Sequence, residues 1–190
     1  MDTTIELLLN QGYQARREHR REDARSLYTQ VVDLCRNNAD TSSLAIAITR
    51  LGGIERDLHE IDASLQHYQD AVAIYRTLDD PLALAHTIRH VGDILRGSGQ
   101  LASAQPCYEE ALQIYRNHPD TGTLDLANTL RGFALLQAAL GQTEEAIAMW
   151  QETGALYNQV WQEPGSPFTE SDLAPGVAES KRQIALLSAG

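Results

Sequence analysis

Three arginines recur in the sequence at intervals of 40 residues, namely Arg16, Arg56 and Arg96. A guanidinium group donates parallel hydrogen bonds, and it therefore suits bidentate recognition of a carboxylate or a phosphate. If the three residues occupy equivalent places in successive structural units, they form a ladder with one cation per unit. Because packed helices lie ~8–10 Å apart and an extended chain advances ~3.3 Å per residue, such a ladder matches a carboxylate at about every third residue of an extended ligand.

A second candidate for chemistry is the pair His86 and His90. A spacing of four places both imidazoles on one face of a helix, as two ligands of a metal ion require. Asp93 is the only further ligand that the sequence suggests for them. The alternative is that both histidines are solvated or line a binding groove. We expect this alternative, and we therefore expect no metal and no cofactor.

Composition excludes several classes of function. The chain has 190 residues, with 26 acidic and 15 basic side chains and a net charge of −11. General nucleic-acid binding requires a basic surface, so we expect no nucleic-acid partner. No stretch approaches the ~18 apolar residues of a membrane span, so we expect no membrane partner. The sequence lacks the motifs of nucleotide-binding enzymes, serine hydrolases and zinc peptidases, and we expect that it is not an enzyme.

The cysteine content bears on the cellular compartment. The sequence contains two cysteines, Cys35 and Cys107, which are too few for a disulfide framework. Both are expected to be inert thiols inside helices. Because free thiols are typical of a reducing environment, we expect a cytoplasmic protein.

The elements that position these residues come from an internal repeat. Segments that start at Leu44, Leu84 and Leu126 align almost without gaps at offsets of 40 and 42 residues, and a weaker copy precedes them. Apolar residues recur with helical spacing in every copy, and no segment alternates with a period of two. Each copy therefore predicts two antiparallel helices, which we name helix A and helix B.

Small and aromatic residues recur in columns of this repeat. Glycine inside a helix costs about 1 kcal/mol, so its recurrence in helix A indicates that helix B passes too close for a side chain. Small residues in helix B supply the matching surface, and the aromatic residues fill the space between that pair of helices and the next helix A. The three columns are Gly12, Gly52, Gly92 and Ala134 in helix A, Ala24, Ser64, Ala104 and Ala146 in helix B, and Tyr28, Tyr68, Tyr108 and Trp150 in helix B.

With these columns, residues 5–158 resemble the tetratricopeptide repeat family. The period of 40–42 residues exceeds the family's usual ~34 and is similar to that of kinesin light chain repeats. The resemblance implies an all-α fold, a right-handed superhelical solenoid of four helix-turn-helix repeats. The predicted domain of residues 1–160 holds repeats at about 5–43, 44–83, 84–125 and 126–160.

The C-terminal segment departs from the repeat. Prolines within residues 161–173 predict a loop, and residues 174–190 predict a capping helix and tail. Polar residues such as Lys181 and Arg182 can solvate the outer side of that helix, as a terminal repeat requires. The alternatives are that this helix mediates dimerisation or occupies the groove.

The resemblance also implies that helix A lines a concave groove. The groove positions hold seven arginines and three acids, so this surface is cationic although the protein is acidic. The competing interpretation is a solvated face whose arginines pair with local acids, as Arg89 can with Asp93 one helical turn later. The predicted ligand-binding residues are Arg16, Arg50, Arg56, Arg89, Arg96, Arg131, His86, His90 and Asn128.

These observations predict a non-catalytic protein–protein interaction module, a cytoplasmic scaffold or adaptor. Its expected partner is a protein or peptide with an acidic or extended segment that binds the arginine-lined groove. The alternative is a structural or self-assembly protein whose terminal helices mediate homo-oligomerisation, for example as a homodimer.

Overall fold

The computed structural model describes residues 3–189, which form nine α-helices and no strand. The prediction of an all-α fold built from helical hairpins is confirmed. In chain order the helices are α1 (Thr3–Arg17), α2 (Arg21–Asn38), α3 (Thr41–Asp57), α4 (Ile61–Tyr75), α5 (Pro81–Gly97), α6 (Leu101–Asn117), α7 (Thr123–Ala139), α8 (Thr143–Val160) and α9 (Glu170–Ser188). Helices α1, α3, α5 and α7 are the A helices of the four repeats, and α2, α4, α6 and α8 are the B helices.

The chain divides into two compact units, Met1–Thr87 and Ile88–Gly190, which we call unit 1 and unit 2. In unit 1, α1 packs on α2, α2 on α3, and α3 on α4. In unit 2, α6 packs on α7, α7 on α8, and α8 on α9. None of the helices in the described part of the chain combines the length and apolar character that crossing a membrane requires.

The glycine column of helix A marks a close approach, as the sequence predicts. A Cβ atom on Gly12 would lie 2.6 Å from Cε1 of Tyr28, and one on Gly52 would lie 3.1 Å from the ring of Tyr68. The group that approaches each glycine is therefore the aromatic ring of helix B in the same repeat. The Ser64 hydroxyl donates a 2.7 Å hydrogen bond to the Gly52 carbonyl oxygen, so the small-residue column of helix B also contacts helix A.

The turns between helix A and helix B share one backbone conformation. Each places a residue in the left-handed region, with φ of 60° at His19, 65° at His59, 77° at Gly99 and 76° at Gly141. Glycine adopts this conformation without steric cost, whereas a residue with a Cβ atom does not. The first two repeats therefore make this turn with histidine, and the last two make it with glycine.

The C-terminal helix begins earlier than the sequence predicts. Helix α9 starts at Glu170 instead of residue 174, so the segment predicted as a loop, 161–173, is shortened. The reason is a capping box, in which the Thr169 hydroxyl accepts from the Asp172 amide and the Asp172 carboxylate accepts from the Thr169 amide. Pro175 consequently lies inside the helix.

Within unit 2, helix α9 packs on the fourth repeat through small residues. A Cβ atom on Gly176 would lie 2.8 Å from the Tyr157 ring, and one on Gly154 would lie 3.2 Å from the Cβ atom of Ser180. Leu173 is buried in the cluster that also contains Ala127, Tyr157 and Val160. These contacts attach α9 to both helices of the fourth repeat.

Candidate functional site

The nine predicted site residues all lie on A helices. Arg16 lies on α1, Arg50 and Arg56 on α3, four residues on α5, and Asn128 and Arg131 on α7. The four residues on α5 are His86, Arg89, His90 and Arg96.

In unit 1, Arg16 crosses from α1 to α3. Its Nε atom donates a 2.8 Å hydrogen bond to the Asp57 carboxylate, and both side chains are partly exposed. A Cβ atom on Gly53 would lie 3.0 Å from Nη1 of Arg16, so the absence of a side chain on Gly53 makes room for the guanidinium. Part of the positive charge at this position is therefore neutralised by the protein itself.

Arg50 and His86 line the same pocket in unit 1. The pocket has a volume of about 310 Å³ and lies among the middle of α3, the end of α4 and the start of α5. Arg50 is exposed, and within residues 3–189 no ion pair engages it. The structure thus brings two of the predicted residues together around an opening that a side chain could enter.

The wall of this pocket contains a buried tyrosine. Tyr75 is almost fully buried and shares the pocket with Thr49 and Arg50. Burial raises the pKa of the Tyr75 hydroxyl, and its hydrogen bond with Thr49 and the charge of Arg50 oppose that increase. The hydroxyl therefore remains protonated at neutral pH and can act as a hydrogen-bond donor.

Arg56 lies in the last turn of α3 and is half-buried. A cation in that turn is favoured by the helix dipole. Arg56 therefore lies on the same A helix as Arg50.

In unit 2, Arg89 is held by groups of its own helix. Its side chain is only 10% exposed, and its Nη1 atom donates a 2.8 Å hydrogen bond to Asp93. Its Nη2 atom lies 3.0 Å from Nε2 of His90. This pairing is the one proposed in the competing interpretation of the groove, so Arg89 and His90 are engaged internally. Among the described residues, no group of three or more His, Cys, Asp or Glu side chains could hold a metal ion.

Arg96 and Tyr108 extend this cluster. The Arg96 Nε atom donates to the Tyr108 hydroxyl at 3.2 Å, and that hydroxyl donates to Asp93 at 2.7 Å. Burial, followed by the charge of Asp93, raises the pKa of Tyr108 well above its ordinary value. Asp93 consequently accepts hydrogen bonds from both Arg89 and Tyr108.

The last two predicted residues contact the fourth repeat and α9. Arg131 donates hydrogen bonds of 2.7 and 2.9 Å to the two carboxylate oxygens of Glu179. The Asn128 side-chain oxygen accepts a 2.8 Å hydrogen bond from the Tyr157 hydroxyl. Both residues are therefore also engaged by groups of the chain itself.

The sequence contains a further column, which consists of tyrosines. Tyr75, Tyr115 and Tyr157 recur at offsets of 40 and 42 residues near the ends of successive B helices. Burial raises the pKa of all three hydroxyls, and a groove arginine counteracts the increase in each case. These arginines are Arg50, Arg89 and Arg131, respectively. The period of the column was the signal that could have revealed it.

Comparison with known proteins agrees with this architecture. Residues 82–159 match the family model described as tetratricopeptide repeat. Among solved structures, the chain is similar to BtubC (BKLC) from P. vanneervenii, with a TM-score of 0.74 and 18% identity over 87% of this chain and 68% of that chain. At this identity the similarity concerns the fold. No curated protein matches the sequence.

The resemblance to the tetratricopeptide repeat family is therefore confirmed. Repeats of this family are non-catalytic scaffolds that generally mediate protein–protein interactions.

Proposed function

Since the chain carries tetratricopeptide repeats, we propose that it is a protein-interaction module whose A helices bind an acidic, extended segment of a partner protein. The observation that carries this proposal is the arrangement of the arginines of the A helices and the carboxylates around them. In three places a groove arginine already holds a carboxylate, and in a fourth place Arg50 is exposed beside an open pocket. The three internal pairs are Arg16–Asp57, Arg89–Asp93 and Arg131–Glu179.

The charge distribution limits an acidic partner to places where cations are exposed. The protein carries a net charge of −11, so its overall field repels anions. Binding of an acidic segment therefore depends on local attraction by exposed cations such as Arg50. Attraction of this kind is screened over ~8 Å at physiological ionic strength, and affinity should decrease as salt is added.

The setting of this interaction is a scaffold or adaptor role in the cytoplasm. Cys35 is buried, Cys107 is half-buried, and both are free thiols. Free thiols are characteristic of proteins that operate in a reducing compartment.

Fluorescence anisotropy with a defined peptide tests the proposal. The probe is a fluorescein-labelled nonapeptide with glutamate at every third position and alanine elsewhere, and its controls carry glutamine or lysine in place of glutamate. We expect the glutamate peptide to bind most tightly and its affinity to decrease across a salt series. Arg50→Glu should weaken binding at least tenfold, because a charge-assisted hydrogen bond is worth roughly 1.5–3 kcal/mol.

The matched control is Arg21→Glu, which makes the same charge change at an exposed position at the start of α2. If both variants weaken binding equally, the effect belongs to net charge and Arg50 has no specific role. If glutamate and lysine peptides bind alike, the partner is not acidic.

Self-assembly through the C-terminal helix is the second candidate. It is favoured by Leu186, which lies on α9 with 63% of its surface exposed. Light scattering coupled to size exclusion tests it, with Leu186→Glu as the variant. A mass that decreases to that of a single chain on this substitution supports self-assembly, and an unchanged mass argues against a role for Leu186.

A further inference from the structure

The structure assigns a specific anchor to the pocket beside Arg50 in unit 1, and we propose that it holds one carboxylate side chain of the bound segment. This inference rests on the proposed function and deepens it, because it identifies where a carboxylate of the acidic segment binds. We call the site the Arg50 pocket, and its defining residues are Thr49, Arg50, Tyr75 and Ala83.

The repeat register explains why this pocket is open. Thr49, Arg89 and Arg131 occupy the same position in successive A helices, at offsets of 40 and 42 residues. In unit 2, the long arginine side chains at this position extend to carboxylates and occupy the space beside their helix. Threonine is short, and in unit 1 the equivalent space is left as an opening of about 310 Å³. One water molecule requires only ~10–15 Å³ of such space, so the opening is ample for a side chain.

The lining of the pocket suits an acidic side chain with an aliphatic stem. Ile46 and Ala83 provide apolar surface, and the ring of the buried Tyr75 adds to this surface. The Thr49 hydroxyl is directed to its own helix, where it donates a 2.9 Å hydrogen bond to the Ala45 carbonyl oxygen. Arg50 is the cation of the pocket, and His86 lies on the opposing helix. A ligand carboxylate that pairs with Arg50 therefore places its methylene groups on Ile46 and Ala83.

Asp80 is the one acidic residue that lines the pocket, and its carboxylate is engaged at the start of α5. Its Oδ1 atom accepts a 3.0 Å hydrogen bond from the Ala83 amide at the start of α5. At that place it caps the helix, and the positive end of the helix dipole compensates its charge. The carboxylate of Asp80 thus has a structural role on the α5 side of the pocket, whereas Arg50 stands on the α3 side.

The chain itself shows how an arginine of an A helix binds a carboxylate near the tyrosine column. In the fourth repeat, Glu179 from α9 accepts two hydrogen bonds from Arg131. Its neighbours Gly176 and Ser180 contact α8, and Gly176 lies against Tyr157, the counterpart of Tyr75. A glutamate from the next element therefore lies near the Tyr157 hydroxyl and pairs with an arginine of the A helix. The Arg50 pocket has the tyrosine of this arrangement, and its cation is Arg50, one position after the counterpart of Arg131. A ligand supplies the carboxylate.

Two substitutions test the pocket separately from the charge of the surface. Thr49→Arg fills the opening with the residue found at this position in the third and fourth repeats, and it adds a positive charge. Ala83→Gln fills the opening without a charge at a half-buried position. The matched control Thr29→Arg adds the same positive charge at an exposed position on α2. All variants are assayed with the glutamate peptide described above, after circular dichroism has verified their helix content.

We expect Thr49→Arg and Ala83→Gln to weaken binding about tenfold or more, although Thr49→Arg makes the surface more positive. Thr29→Arg should leave the affinity unchanged within about twofold or raise it slightly. If Arg50→Glu weakens binding while both pocket variants bind like the native chain, the proposed function stands and the pocket is overturned. If the lysine peptide binds more tightly than the glutamate peptide, the partner is not acidic, and the proposed function is overturned together with the pocket. If no acidic peptide binds at millimolar concentration, the proposed function is overturned together with the pocket.

Discussion

Arg131 on α7 and Glu179 on α9 form a two-pronged ion pair, with hydrogen bonds of 2.7 and 2.9 Å. The pair joins the fourth A helix to the C-terminal helix, and Glu179 is the more buried partner, with 19% of its side chain exposed against 39% for Arg131. Bidentate geometry and partial burial distinguish it from an ordinary surface ion pair. The hydrogen bond with Glu179 raises the pKa of Arg131 above its already high value, so this cation stays charged at every accessible pH.

The first prediction concerns the stability that this pair contributes. Glu179→Ala should lower the free energy of unfolding by about 1 kcal/mol, a value reduced from that of a buried pair because solvent still reaches Arg131. Urea denaturation provides the measurement. The control is Glu152→Ala, which removes the 2.8 Å ion pair with Arg116, whose side chains are 40% and 50% exposed. We expect less than about 0.5 kcal/mol for the control. Equal losses of unfolding free energy in the two variants would show that the α7–α9 pair stabilises the protein no more than an ordinary surface ion pair.

The second prediction concerns Gly132 on α7. A Cβ atom there would lie 2.6 Å from Cε1 of Tyr108 and 2.9 Å from the Asp93 carboxylate, two groups that hydrogen-bond each other. Gly132→Ala should therefore destabilise the protein by about 1–3 kcal/mol through overpacking. Gly97→Ala is the control, because a Cβ atom at Gly97 meets nothing within 4 Å and Gly97 lies in the last turn of α5. Thermal unfolding should show a lower midpoint for the first variant and an unchanged or higher one for the second.

The sequence predicted some of these glycines and not others. Gly12, Gly52 and Gly92 could be interpreted because they share one column and face helix B of their own repeat. Gly53 and Gly132 occupy other columns, and each makes room for a side chain of the preceding repeat, such as Arg16 at Gly53. Contacts between repeats depend on how the hairpins stack, and a single repeat does not encode that geometry.

The candidate site was likewise predicted only in part. The sequence placed all nine site residues on A helices, because helical periodicity determines which positions share a face. It did not predict which arginines are used internally. Asp57 and Glu179, the acids that engage Arg16 and Arg131, lie 41 and 48 residues from them. The Arg50 pocket was equally hidden, because it arises from the shortness of Thr49 relative to the arginines in the same column.

The third prediction is a pH dependence at the start of α3. The Asp40 carboxylate accepts a 3.0 Å hydrogen bond from the Ser43 amide, and this bond lowers the pKa of Asp40. Because the native pKa is depressed, the stabilising contribution is fully present above the unfolded pKa of about 3.9, and it is lost as the pH falls through the lower native pKa.

Asp40→Asn separates the charge from the cap. Asparagine caps helices as well as aspartate does, but it does not titrate. Near pH 6 the native chain should be more stable than Asp40→Asn by roughly 0.3–1 kcal/mol, the value of an anion at a helix N-terminus. The difference should approach zero as the pH is lowered from about 4 to about 2. Urea denaturation over this range measures it, and a constant difference would contradict the assignment.

The last prediction concerns the role of α9. Val177-Ala178 repeats the pair that begins the aligned segments of the repeats at Leu44-Ala45, Leu84-Ala85 and Leu126-Ala127. We propose on this register that α9 takes the place of a further A helix and caps the array. Three residues after each alanine, the A helices hold buried Ile48, Ile88 and Leu130, whereas α9 holds the exposed Lys181. A charge at this position prevents another helix from packing there, which is what a terminal helix requires.

Lys181→Leu introduces the apolar residue that the A helices have at this position. It should create an apolar surface at the end of the array that promotes association. We expect self-association that increases with protein concentration, because the substitution exposes a contiguous apolar face together with Ile184 and Ala185. Arg182→Leu is the control, since it also replaces an exposed cation of α9 by leucine but at the adjacent position. Light scattering coupled to size exclusion, over a concentration series of all three proteins, provides the measurement. Association by both variants to the same extent would mean that any added leucine suffices. If Lys181→Leu does not associate, Lys181 is not the residue that prevents another helix from packing on this face.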